Sequence, residues 1–98
     1  MRLPKNQVVI AGHTIPILYK EVLKFDGADS WGYYDDNKHT IYLKKGMDKN
    51  HRAEVLLHEC IHAIEFIHNF GLTEKAVNLL GIEILALIRN NNIDWRGK

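Results

Sequence analysis

A single cysteine, two prolines and no surplus of either charge limit what this 98-residue sequence can be. Cys60 has no partner for an internal disulfide, which suits a reducing compartment, so a cytoplasmic protein is expected. No apolar run reaches the roughly 20 residues that a membrane-spanning helix needs. The longest stretches, near residue 80, are interrupted by Gly81 and Glu83. The opening MRLPKNQVVIAG lacks the apolar core of a secretory leader. Formal net charge is +1, and the 13 Lys and Arg are scattered among 12 Asp and Glu, so no basic stripe awaits a nucleic-acid backbone. Neither nucleic acid nor membrane is an expected partner.

What is present is the composition of an ordinary globular domain, with 46% hydrophobic and 26% charged residues. A chain of this length predicts one domain over residues 1–98, with a core of simple construction. Its first half reads as strands. QVVIAGHTIPILYKE carries two β-rich runs about Gly12-His13, a hairpin in which Pro16 belongs at an edge or bulge because it has no N–H for a ladder. KFDGADS, residues 24–30, is loop-like, and SWGYYDDNKHTIYLKK is a second hairpin turning at Asp36-Asn37.

From about His51 the apolar period lengthens to three and four. Ala53, Leu56, Leu57, Cys60, Ile64 and Ile67 form one face of a helix, which Asn69-Phe70-Gly71 ends. Thr73 is placed to cap a second helix running to about Asn90, whose apolar stripe is Val77, Leu80, Ile84, Leu87 and Ile88. The fold class expected is α+β: a small antiparallel sheet of three or four strands packed on two helices.

The first helix contains His58-Glu59-Cys60-Ile61-His62, the pattern H-E-x-x-H. Residues four apart on a helix share a face about 5–6 Å apart, so both imidazoles can reach one Zn²⁺. Glu59 leans to the side of such an ion, where it can take a proton from water and hand it to a leaving amine. By helical angle, His58 and His62 lie opposite the Leu56/Cys60/Ile67 stripe, so one face anchors the helix while the other offers ligands.

Two histidines need a third partner. His68 matches the last histidine of H-E-x-x-H-x-x-G-x-x-H, but Glu65 stands where that pattern has its glycine, and a continuing helix carries His68 about 9 Å onward. No histidine follows it, so a later ligand must be a carboxylate. Glu83 lies far from the apolar stripe of the second helix. Glu74 lies at its edge, in line with Asn78, Gly81 and Leu85, where Asn78 could orient it and Gly81 could let the helices approach closely. Glu74 is the preferred third ligand and Glu83 the alternative. Cys60 reads as a small core residue, His13, His39 and His51 as loop histidines, and Trp31 and Trp95 as packing residues. Strand 39–43 is the candidate to pair with a substrate backbone, and Tyr33, Tyr34 and Tyr42 are the candidate oxyanion donors, Tyr34 foremost.

The stretch LLHECIHAIEFIHNFGLTEKAVNLLGIEILALIRNN, residues 56–91, resembles the small phage and prophage metallopeptidases, relatives of ImmA/IrrE-type and minimal gluzincin domains. In those an H-E-x-x-H helix is followed by a glutamate helix, often E-x-x-A-N, which Glu74, Val77 and Asn78 match with Val in place of Ala. The resemblance implies a zincin-like fold and a zinc-dependent peptidase acting on a peptide or protein, with a regulatory protein partner also to be considered. The alternative is a non-catalytic binding module on the same fold with a structural or degenerate metal site. A third reading is a metal-free helical interaction protein.

Overall fold

The computed structural model describes residues 3–94. Strand β1 (Gln7–Ile10) turns through Ala11-Gly12 into β2 (His13–Lys20). Both turn residues have positive φ, 50° and 80°, as a tight two-residue hairpin requires, so the turn sits one residue before the expected Gly12-His13. Residues 24–29 are not a plain loop. Lys24–Phe25 (β3) and Ala28–Asp29 (β4) pair about Asp26-Gly27, another two-residue turn with positive φ at both positions. Asp-Gly is among the strongest short hairpin signals, and it outweighs the polar composition that suggested a loop. Strands β5 (Gly32–Asp35) and β6 (Thr40–Lys44) form the next hairpin. The Asp35 side chain accepts from Asn37 N–H at 3.0 Å inside its loop.

Four strands form one sheet in the order β1-β2-β6-β5. The sheet is not wholly antiparallel: β2 and β6 run parallel, with Ile17 opposite Ile41 and Leu43 opposite Tyr19. The β3–β4 hairpin and β5 fill the connection between them, so β6 enters beside β2 in the same direction. Pro16 lies in an interior strand, yet it fits. Ile17 N–H bonds to Asn6 C=O across β1, so the Pro16 nitrogen faces the other side, one residue before pairing with β6 begins.

Helix α1 (Lys49–His68) starts where the Asp48 side chain accepts from His51 N–H at 2.8 Å and ends at Asn69 in the left-handed conformation. Helix α2 (Glu74–Asn90) is capped by Thr73, which accepts from Ala76 N–H at 3.1 Å. One face of α1, with Leu56, Cys60 and Ala63, packs on Ile15, Ile17, Tyr34, Ile41 and Leu43 of the sheet. A second face, with Ala53, Leu57 and Ile61, meets Val77 and Leu85 of α2. The layers are therefore sheet, α1, α2. Leu56, Ile15, Ile41 and Leu43 are fully shielded from water, each stabilising the fold by about 1.5–3 kcal/mol.

The buried line of α2 is Val77, Gly81 and Leu85, whereas Leu80, Ile84 and Leu87 of the expected stripe stay exposed. Ranking side chains by hydrophobicity passes over a glycine, and so misplaces the contact face by part of a turn. Gly81 is not needed for a close approach: a methyl group there would meet the Ile61 Cδ1 at 3.9 Å, an ordinary contact. Gly81→Ala should accordingly raise stability by up to about 1 kcal/mol through helix propensity, read as a higher midpoint in urea. Trp95 lies outside the described residues. No helix among them is long and apolar enough to cross a membrane.

Candidate metal centre

α1 presents a third face, between the sheet and α2, and this face carries His58, Glu59 and His62. The α1–α2 connection is residues 69–73. It folds back beside the last turns of α1, held by Leu72 N–H, which donates to Glu65 Oε2 at 2.7 Å. That contact starts α2 level with Glu65. The Glu74 side chain then spans the remaining gap although α1 continues two turns past His62.

Glu74 Oε1 lies 2.9 Å from His58 Nε2, Glu74 Oε2 lies 3.7 Å from His62 Nε2, and the two Nε2 atoms are 3.1 Å apart. A tetrahedral ion with bonds of about 2.0–2.1 Å holds its ligand atoms about 3.3–3.4 Å from one another. The three separations bracket that spacing. Among the described residues, His58, His62 and Glu74 form the group able to hold a metal ion. Glu83 and His68 are both exposed and stand apart from it.

The protonation pattern also fits a cation. Glu65 Oε1 lies 2.7 Å from His62 Nδ1. A carboxylate accepts, so the ring proton sits on Nδ1 and the Nε2 lone pair faces the cluster. Burial, helped by the neighbouring His62, holds His58 below the ordinary imidazole range against the pull of Glu74, which favours its neutral, ligating form. His58 Nε2, 2.9 Å from Glu74 Oε1, carries a proton in this arrangement and must give it up or shift it to Nδ1 to ligate; two nitrogen donors and a carboxylate then converge on one point, the donor set that Zn²⁺ takes.

Glu65 is the residue that sequence reasoning missed. In the sequence it stands at another pattern's glycine position. Its spacing from His62, three residues on a helix, was the available signal. The carboxylate orients an imidazole and anchors the loop before Glu74, so Glu65→Gln should weaken zinc affinity by about 10–100-fold. Competition titration with a chromogenic chelator would measure this, with the helical circular dichroism retained.

Asn78 does not take the role expected of it. It is exposed, makes no hydrogen bond to Glu74, and lines a side pocket instead. Tyr34 lines the main cleft, but its hydroxyl is 2.8 Å from His39 Nδ1 and so is already engaged. What Tyr34 supplies directly is its backbone N–H, which hydrogen-bonds to Glu59. Cys60 is buried, and burial pushes its thiol up to about 12, the state of an inert core residue.

Glu59 is 7% exposed, beneath the cleft floor. Burial raises its pKa to about 7, with the neighbouring His62 and the Tyr34 N–H pulling the other way. A carboxylate in that range can both take up and release a proton near neutrality. Gly32 makes room for it. A Cβ on Gly32 would come within 2.5 Å of Val55 Cγ1 and 3.1 Å of Glu59 Cγ.

The open edge of the sheet at this site is β5, not strand 39–43. β6 is paired on both sides, by β2 and β5. Lys44 N–H bonds to Trp31 C=O, which sets the ladder phase: Trp31, Tyr33 and Asp35 turn their backbone groups toward β6, whereas Gly32 and Tyr34 turn theirs outward. Beside this edge lies a cleft of about 950 Å³ that includes His58, Glu59, His62 and Glu74 with Phe25, Phe66 and Phe70. A smaller pocket of about 460 Å³ continues past His58 and Glu59 toward Trp31 and Asn78.

Comparison with protein-family models, with curated proteins and with solved structures finds no match to this chain. The reading of the site therefore rests on its own residues.

Proposed function

We propose that the protein is a zinc-dependent metallopeptidase of gluzincin type, in which His58, His62 and Glu74 hold the ion and Glu59 is the general base. The observation that supports it is the convergence of these three ligand atoms, at 2.9–3.7 Å from one another, beside a buried carboxylate in an open cleft. When bound, Zn²⁺ supplies Lewis acidity to a water and to the scissile carbonyl.

The chain's own residues do the rest. Of the outward backbone groups of β5, the Tyr34 N–H is held by Glu59 and the Gly32 C=O accepts from Ser30 Oγ at 2.6 Å, so the Gly32 N–H and the Tyr34 C=O are the groups an extended substrate would pair with. Glu59, buried beside the ligands and oriented by the Tyr34 N–H, takes the proton of the attacking water on its carboxylate. It holds that proton through the tetrahedral stage and passes it to the amine as the C–N bond breaks. The Tyr34 N–H fixes which way the carboxylate points. For Tyr34 to serve as oxyanion donor, its hydroxyl would have to turn from His39. The single buried Cys60 suits a cytoplasmic setting.

The test is zinc content per chain after purification without added metal, beside Glu74→Ala and Glu83→Ala. We expect about one zinc in the wild type and in Glu83→Ala, and almost none in Glu74→Ala, since two histidines alone leave a structural or catalytic zinc site incomplete. A wild type that takes up no zinc even on reconstitution would end the peptidase reading. Bound zinc without hydrolysis of any peptide would leave the non-catalytic module in its place.

A further inference from the structure

Helix α2 buries one line of residues against α1 and leaves large apolar side chains on the other side. Leu79, Leu80, Ile84 and Leu87 are 57%, 41%, 36% and 56% exposed, and Ile64 of α1 is 37% exposed. Leu80, Ile84 and Leu87 follow a four-then-three spacing, so they form one stripe along the helix. Of the charged residues of α2, Glu74, Lys75 and Arg89 lie away from that stripe, and Glu83 flanks it between Leu79 and Leu87. None of its residues lines the metal cleft or the side pocket, so a partner seated there leaves both open.

The exposed outer face of the sheet differs. There Lys20 lies over the Tyr42 ring, and at the β5 end of the sheet Lys44 lies over the Trp31 ring, so lysine stems cover these aromatic surfaces. Among the described residues, the α2 stripe is open to water. We propose that it is the contact surface of a symmetric homodimer, in which two α2 helices pack antiparallel across a twofold axis.

Three considerations favour a second copy. The stripe is self-complementary: an antiparallel copy centred between Glu83 and Ile84 sets Leu80 of one chain against Leu87 of the other, apolar against apolar, with the Glu83 carboxylates at the rim. A single patch meeting itself closes at two subunits rather than propagating. The area is also sufficient. The four side chains Leu80, Ile84, Leu87 and Ile64 leave about 300 Å² of apolar surface open on each copy. With the polar rim that forms about 40% of an interface, about 1,000 Å² would be buried in all, the size at which a specific contact begins.

Sedimentation equilibrium of the zinc-loaded chain over about 1–100 µM tests this. We expect twice the 11.4 kDa chain mass. Leu80→Glu and Leu87→Glu should each weaken the dimer by at least about 100-fold, the effect of forcing a charge into an apolar contact, while the zinc content is unchanged. Val9→Glu, on the exposed face of β1, should leave the dimer intact. Ile84→Cys gives a readout that does not depend on a disruptive charge: with Cys60 buried, mild oxidation should cross-link two chains through position 84. A wild type that stays monomeric at the upper concentration overturns the proposal. So does a dimer indifferent to Leu80→Glu and Leu87→Glu, or one lost in Val9→Glu.

Discussion

Glu59→Gln should lower peptide hydrolysis by about 10²–10⁴-fold, the range expected when a positioned general base is removed. Zinc content should stay at about one per chain, because Glu59 is not among the atoms that converge on the metal position. The isosteric amide keeps the volume of a side chain that is 7% exposed, so the fold has no reason to change. Quenched-fluorescence assays beside elemental analysis on the same sample would separate the two effects. Activity retained within a few-fold of wild type would remove Glu59 from the proton path, whatever the metal content.

The second large effect is expected at Gly32. A methyl group there would lie 2.5 Å from Val55 Cγ1, closer than packed carbon atoms approach, and 3.2 Å from Glu59 Oε2. Val55 is β-branched and held to one rotamer on a helix, so it cannot swing aside. α1 must then move away from β5. We expect Gly32→Ala to cost about 1–3 kcal/mol of stability, typical of overpacking. It should also lower activity by up to about 10²-fold, because the displaced helix carries His58, Glu59 and His62. Val55→Ala in the same chain should restore most of both. Failure of that rescue would mean that the Val55 contact is not the cause.

Much of the architecture was legible because local chemistry decided it. Thr73 caps α2 and Asn69 closes α1 where side-chain type alone suggested, and His58 and His62 share a face because four residues make about one turn. The choice of Glu74 over Glu83 and His68 followed from helical angle, and the structure brings Glu74 to the histidines. The parts that were not legible depend on contacts distant in sequence. Nothing in HTIYL says that its partner on one side is ILYK running parallel, so the identity of the open edge strand was out of reach. The engagement of the Tyr34 hydroxyl by His39 depends on His39 adopting a positive φ of 48° in the β5–β6 loop. Glu65 was legible in principle, since its spacing from His62 is local; what hid it was comparison with a pattern the chain does not follow.

The parallel pairing of β2 with β6 also sets the order in which the molecule can assemble. Hairpins β1–β2 and β5–β6 each close over a few residues and can form within about 1–10 µs. Joining them requires Ile17 to find Ile41 across the whole intervening excursion, a closure whose entropy must be met before any contact between the hairpins is gained. That docking is the natural slow step in folding. Glu59 is seated against Gly32 and Tyr34 of the second hairpin, whereas the α1 face behind it packs on both hairpins. The contacts of Glu59 thus belong to one hairpin, while the packing that holds α1 over them is complete only once the two hairpins have docked. If the protein is the proposed zinc peptidase, stopped-flow refolding in the presence of zinc should show activity returning no sooner than that docking.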